Sequence, residues 1–246
     1  MTKRSPRYLD YQIKWNSIDE LNGLALGSCL GVMKLSFGIL PFLSHSYRLL
    51  PVAVSCITQS GPVVVSKTKT LKEAASLGIG GPHTTAYQVL KRFVQVPNQI
   101  VIIEESKLLK AIEDDEIDCA LVLHDQEHQA LEKGLQVVSS VLDLWSQPVL
   151  PLGGFFASDG LDDKVMEYVI KDIQASLDWA IANPKESYAY IKRMTPSHLH
   201  ERIQINLDRF INPSTLRFSN SEELAIEKLC TLFQLKHQSE WIWKKK

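Results

Sequence analysis

The 246-residue chain reads as an α/β protein with mostly parallel sheet. Three observations carry that expectation. Strand-like and helix-like patterns alternate through residues 31–157, and helices alone collect after Asp162. Residues 117–123, IDCALVL, form a short apolar run of the kind found in strands covered on both faces. In open parallel sheets a ligand sits beyond the carboxyl ends of the strands. Three strand ends therefore become candidate site positions: Ser36, the turn from Pro82 to Thr85, and His124.

In chain order, residues 11–15 alternate polar and apolar side chains, as a strand does. Ser17 followed three residues on by Glu20 has the capping-box pattern and opens a helix over 20–26 that stops near Gly27. A strand over 31–36 ends on Ser36, and a short helix over 37–43 follows it. Residues 49–54 and 62–66 are β-rich, with Gly61-Pro62 as a break between them. After a connector over 70–75, a short strand runs into Gly80-Gly81-Pro82. Thr84 and Thr85 supply usable N-caps for a helix over 85–93, whose apolar positions are Ala86, Val89, Leu90 and Phe93. Strand 99–103, helix 106–112 and an acidic, solvated 113–116 lead to the buried strand that ends on His124-Asp125. Residues 136–144 and 148–157 read as two further strands. Helices over 164–182, 185–194, 197–210 and 221–235 complete the pattern, the first two parted by Asn183-Pro184. The tail from Trp241 ends in three lysines and reads as solvated.

A net charge of −1 gives no general attraction to nucleic acid or to an anionic membrane. The longest apolar candidate, residues 21–43, is interrupted by four glycines, Lys34 and Pro41 and cannot span a bilayer. The basic N-terminus has no apolar core behind it and is no secretory signal. Cys29, Cys56, Cys119 and Cys230 are widely spaced, mostly in apolar runs, and read as buried thiols of a cytoplasmic protein.

The turn at residues 80–85 opens a helix, and a helix start bares N–H groups with a partial positive charge that suit an anionic or oxygen-rich ligand. The same residues also describe an ordinary capped connection between strand and helix. His124, at a strand end, is placed for general-base work, or alternatively for bonding a neighbouring loop. His124 to His128 also fits H-x-x-E-H, a zinc-peptidase pattern that requires a helix; a first histidine that closes a strand, with no downstream acidic ligand, argues against it. His198 and His200 are two apart on an expected helix and diverge. Ser36 lacks the G-x-S-x-G setting of a nucleophile and reads as a hydroxyl donor to a ligand. Lys34 either pairs with a carboxylate or stays solvated. Neither G-x-G-x-x-G nor a P-loop is present, so neither a nicotinamide cofactor nor ATP is expected.

Five segments in order resemble one family: residues 33–37 (MKLSF), 81–87 (GPHTTAY), 120–124 (ALVLH), 151–154 (PLGG) and 206–212 (NLDRFIN). Together they look like the 1,4-dihydroxy-6-naphthoate synthases of the futalosine route to menaquinone, over about residues 18–235. That resemblance implies a two-lobed fold like that of type II periplasmic binding proteins, with the ligand cleft between lobes. One lobe would take residues 1–77 and 156–246, the other 78–155. It implies a carbon–carbon lyase that converts cyclic dehypoxanthinyl futalosine to 1,4-dihydroxy-6-naphthoate and a dihydroxyacetone fragment, with no metal or organic cofactor. Carried over by motif, His124 is the proton acceptor, and Lys34, Leu35, Ser36, Thr84 and Thr85 contact a small-molecule carboxylate substrate. Two other activities suit the same fold: a non-catalytic binder of small carboxylates, and chorismate dehydration, against which the H-T-T-A-Y block argues.

Family members usually begin with a strand and a loop of the type S-P-C-P-N-D-T-F ahead of the equivalent of Tyr11, where this sequence has only Ser5-Pro6. The expectation is either a start codon further upstream or a diverged member with weakened activity, and a first-lobe sheet short of a central strand would have unpaired edges and lowered stability or solubility.

Overall fold

The computed structural model describes residues 7–27, 31–43, 46–145, 147–195, 197–235 and 241–244, less the side chains of residues 124, 125, 198, 199, 202, 205, 209 and 210. In chain order the elements are α1 (Ile18–Leu26), β1 (Val32–Ser36), a 3-10 turn (Phe37–Phe42), β2 (Tyr47–Leu49), β3 (Ser55–Ile57), β4 (Val63–Ser66) and β5 (Ser76–Ile79). Next come α2 (Thr85–Phe93), β6 (Gln99–Ile102), α3 (Leu108–Glu113), β7 (Cys119–Val122), α4 (His124–Glu132), β8 (Gln136–Ser140), α5 (Val141–Trp145) and β9 (Leu150–Ser158). The C-terminal helices are α6 (Asp163–Ala182), α7 (Pro184–Met194), α8 (Ile203–Phe210), α9 (Pro213–Leu216) and α10 (Asn220–Leu232).

Contacts divide the chain into two compact units. The first holds residues 1–35, 41–56 and 153–246; the second holds Ser36–Leu40 and Ile57–Leu152. The second thus takes in residues 57–77, which the sequence reading assigned to the first lobe.

The first unit is built on a sheet with strand order β1-β9-β2, with β3 also paired to β9. β2 runs antiparallel to β9, with Leu49 opposite Phe156. On this sheet a core of Leu50, Val52, Ala157, Met166, Val169, Ile173 and Trp243 packs the apolar stripe of α6. The strand expected over residues 11–15 does not form, and residues 8–11 join no sheet. They are held instead by Asp172 of α6, which is fully buried and accepts from Tyr8 N (2.8 Å), Leu9 N (3.2 Å) and Tyr11 Oη (2.8 Å). The Tyr8 ring stacks on Tyr168 with centroids 4.9 Å apart. Burial, reinforced by the Asp172 carboxylate, pushes the Tyr11 hydroxyl above its usual range.

The tail reads differently from the solvated end that its lysines suggest. Trp241, Ile242 and Trp243 are buried, Ile242 bridges in parallel to Leu49, and Trp243 Nε1 donates to Asp163 at 3.0 Å. The edge of β2 is covered by this return of the chain.

The second unit carries a five-stranded sheet in the order β6-β5-β7-β4-β8. β5 is parallel to both β6 and β7, whereas β4 is antiparallel to both β7 and β8. The sheet is therefore mixed rather than wholly parallel. β7, α4 and β8 make a crossover whose two strands run alike, and β4 enters between them in the opposite direction. Its core joins Val63, Val65, Ala120 and Val122 of the sheet to Leu108, Leu109 and Ile112 of α3.

Several local expectations hold to the residue. Ser17 and Glu20 form the capping box of α1, and α2 spans Thr85–Phe93 with Thr84 as N-cap. Other expectations differ: the β-rich residues 50–54 form the link between β2 and β3, and residues 197–202 form a 3-10 turn ahead of α8. Residues 136–144 split into β8 and α5, because a short apolar run has no period that separates strand from helix. His124 does not close a strand; it opens α4. Cys56, Cys119 and Cys230 are buried free thiols, each pushed up to about 12 chiefly by loss of hydration. Ser5, Pro6 and Cys29 lie outside the described residues. No helix among the described residues is long and apolar enough to cross a membrane.

Candidate functional site

In the second unit the parallel neighbours β5 and β7 end side by side, with Gly78 opposite Ala120. Each then turns into a helix. After β5, Gly80, Gly81 and Pro82 form the turn, and Thr84 caps α2 by accepting from Tyr87 N at 3.4 Å while its hydroxyl donates to Gly81 O at 3.1 Å. After β7, Leu123 is the N-cap residue of α4 and His124 its first helical residue. Two helix N-termini thus open at adjacent strand ends, each with first-turn N–H groups that lack intrahelical partners. An oxygen-rich or anionic ligand suits such a place.

Thr85 is spent on the protein. It is buried, its Oγ1 accepts from Gly38 N at 3.0 Å, and its hydroxyl donates to Leu152 O. Its hydroxyl is a brace between the 3-10 turn and α2. A side chain at Gly38 has no room: an added Cβ would lie 2.5 Å from Thr84 O. Ser36, two residues before Gly38, is buried.

Glu105 and Gln126 belong to this rim and were not among the residues expected from the sequence. An added Cβ at Gly80 would lie 2.7 Å from Glu105 Cγ, so glycine there makes room for the carboxylate arm. Gln126 Nε2 donates to Glu105 O at 2.7 Å and ties α4 to the turn after β6. The signal for them in the sequence is only position: each follows a strand.

The other expected residues lie in the first unit. Leu35 is fully buried, so only its backbone is available to a ligand. Lys34, partly accessible on β1, donates from Nζ to Ser55 Oγ at 2.7 Å and to Ala53 O at 3.5 Å. Its ammonium also lies 5.2 Å from the Phe155 ring centroid. Loss of hydration lowers its pKa to about 8, with the Cys56 thiol acting slightly the other way. Among the described residues no carboxylate pairs with it, and its ammonium is bonded to Ser55 and Ala53 rather than solvated, so neither role open to Lys34 from the sequence is the one observed. Ala53, which presents its carbonyl to Lys34, has φ +50, a region that a non-glycine residue adopts at a cost.

No group of three or more metal-ligating side chains occurs among the described residues. His124 to His128 lies on a helix, as the zinc pattern requires, and does not close a strand. His128, however, is exposed, with Nε2 3.2 Å from Glu132.

The chain is similar to known proteins over most of its length. Residues 5–234 match the family model described as menaquinone biosynthesis. The chain is 24% identical over 218 residues to a 1,4-dihydroxy-6-naphthoate synthase of Thermus thermophilus, covering 86% of this chain and 79% of the relative. It is 23% identical over 211 residues to the enzyme of that name from Streptomyces coelicolor, covering 80% and 75%. Among solved structures, a protein of Archaeoglobus fulgidus superposes with a TM-score of 0.82 at 25% identity, over 94% of this chain and 88% of that one. The periplasmic aliphatic sulphonate binding protein of Escherichia coli superposes at 0.61 and 14% identity, over 93% and 80%. That likeness shows the fold, an α/β architecture of the periplasmic-binding-protein type. With the family model matched across nearly the whole chain, this protein belongs to the menaquinone biosynthesis family.

Proposed function

We propose that the chain is a carbon–carbon lyase that converts cyclic dehypoxanthinyl futalosine to 1,4-dihydroxy-6-naphthoate with release of a dihydroxyacetone fragment. The observation that carries this reading is the place of His124. It opens α4 directly beyond a central parallel strand, beside the turn after β5. A histidine there can take a proton from a substrate held at the two helix starts, and proton removal initiates the bond cleavage. Ser36, the Thr84 turn and the N–H groups of α2 would hold hydroxyl oxygens. Lys34 would anchor the substrate carboxylate, since it is an ammonium with hydroxyl and carbonyl partners but no counter-charge among the described residues. The names of the two curated relatives support the same reaction. A small molecule is the partner in this reading, and the cytoplasm its setting.

Incubation of the protein with cyclic dehypoxanthinyl futalosine tests the proposal. Formation of dihydroxynaphthoate, followed by mass spectrometry, is the expected result. Tight binding without turnover would replace the lyase with a carboxylate binder, and consumption of chorismate instead would replace it with a dehydratase.

A further inference from the structure

Lys34 does not act alone in its surroundings. Its ammonium donates to Ser55 Oγ at 2.7 Å, which fills a lone pair of that oxygen and turns the hydroxyl proton of Ser55 away from Nζ. Ser55 is half-buried, at the start of β3, so its hydroxyl can turn toward a ligand that reaches it. Lys34 has three N–H groups; one goes to Ser55 and one makes only the long 3.5 Å contact to Ala53 O. The site therefore presents two donor groups side by side, and a carboxylate has two acceptor oxygens side by side.

The fold holds this pair in place. Asn212 Nδ2 donates to Cys56 O at 2.7 Å, which fixes β3 one residue beyond Ser55. The orientation of the Asn212 amide is set from the other side, where Oδ1 accepts from Thr215 N at 3.2 Å as the cap of α9. Ser214 of the same helix donates to the buried carboxylate of Glu222 at 2.6 Å. Ala53, two residues before Ser55, is held at positive φ. A lysine–serine contact needed only for packing would not account for a cation left without an anionic partner in poorly hydrated surroundings.

We propose that Ser55 is a ligand-binding residue, the second donor of a two-pronged carboxylate site that it forms with Lys34. This inference rests on the reading above that the ligand carries a carboxylate, and adds a residue to it. The half-buried Phe155 ring, its centroid 5.2 Å from the ammonium, adds an aromatic group beside the site, which suits a carboxylate borne on an apolar ring.

The test is calorimetric titration with 2-naphthoate and, as the uncharged control, 2-naphthamide. Ser55→Ala weakens naphthoate binding by about tenfold, the loss expected of one hydrogen bond to a charged group, and leaves naphthamide within about twofold. Ser55→Thr, which keeps the hydroxyl, restores naphthoate binding. The proposal is overturned if Ser55→Ala binds naphthoate as the parent does, if it loses both probes equally, or if the parent binds no naphthoate. Lys34→Met separates this inference from the reading beneath it. Loss in Lys34→Met but not in Ser55→Ala removes Ser55 alone; no loss in either removes the carboxylate anchor as well. Turnover does not enter the measurement, so a failed lyase assay leaves its outcome readable.

Discussion

The backbone N–H of Gly38 donates to Thr85 Oγ1 at 3.0 Å, and through this bond the 3-10 turn after β1 is joined to the first turn of α2. Thr85 passes the connection on by donating to Leu152 O. Replacing it with valine keeps the shape and deletes both bonds, leaving a buried donor and an acceptor without partners. Thr85→Val should lower stability by roughly 3 kcal/mol, whereas Thr85→Ser should lose about 1 kcal/mol or less. Urea denaturation midpoints check this, and equal effects of the two substitutions would show that the bonds do not matter. Gly38→Ala should be at least as damaging as Thr85→Val, because its Cβ would meet backbone rather than a movable side chain.

Lys34 makes binding sensitive to pH. Its pKa in the folded protein is about 8, against an ordinary value of 10.5. Below about 8 the folded protein keeps the proton and the ammonium attracts a carboxylate. Between about 8 and 10.5 the unfolded chain holds a proton that the folded chain has released, so the burial penalty is relieved and stability rises with pH. Carboxylate affinity falls over the same window. Naphthoate titrations at a neutral pH and near pH 9.5 should show the loss in the parent and a flat response in Lys34→Met. A parent response as flat as the variant's would contradict the assignment.

Asp172 is the fastening of the N-terminal segment. Its carboxylate is fully buried and accepts from two backbone amides and from the Tyr11 hydroxyl. Asp172→Ala strands those donors and should cost about 3 kcal/mol, while freeing residues 8–11 from α6. Faster proteolysis near Tyr8 and Tyr11, together with a lower denaturation midpoint, would accompany the change. An unchanged cleavage pattern would mean that packing of Leu9 and Tyr11, not the carboxylate, holds the segment.

The parts legible in the sequence were those with local signals. The Ser17–Glu20 capping box, the N-cap Thr84 and the amphipathic stripe of α6 each declare themselves within a few residues. The turn after β5 was legible for the same reason, since two glycines, a proline and a threonine specify backbone geometry directly. What escaped depends on partners distant in the chain. The antiparallel insertion of β4 is decided by β7 and β8, more than fifty residues away. Trp241 to Trp243 are buried because they return to Leu49. Ser55 is one serine in an apolar run, and Ala53 carries no mark of its positive φ; their importance appears only when β1 brings Lys34 beside them. Thr85 was expected to contact substrate, but its hydroxyl serves Gly38 and Leu152, which no spacing rule connects to it.

His124→Ala, measured with cyclic dehypoxanthinyl futalosine, tests the central claim most directly. The lyase reading predicts that substrate binding stays within about threefold of the parent while turnover falls by roughly a hundredfold or more, the loss expected on removing a general base. Turnover retained in His124→Ala, with dihydroxynaphthoate still formed at the parent's rate, would contradict it.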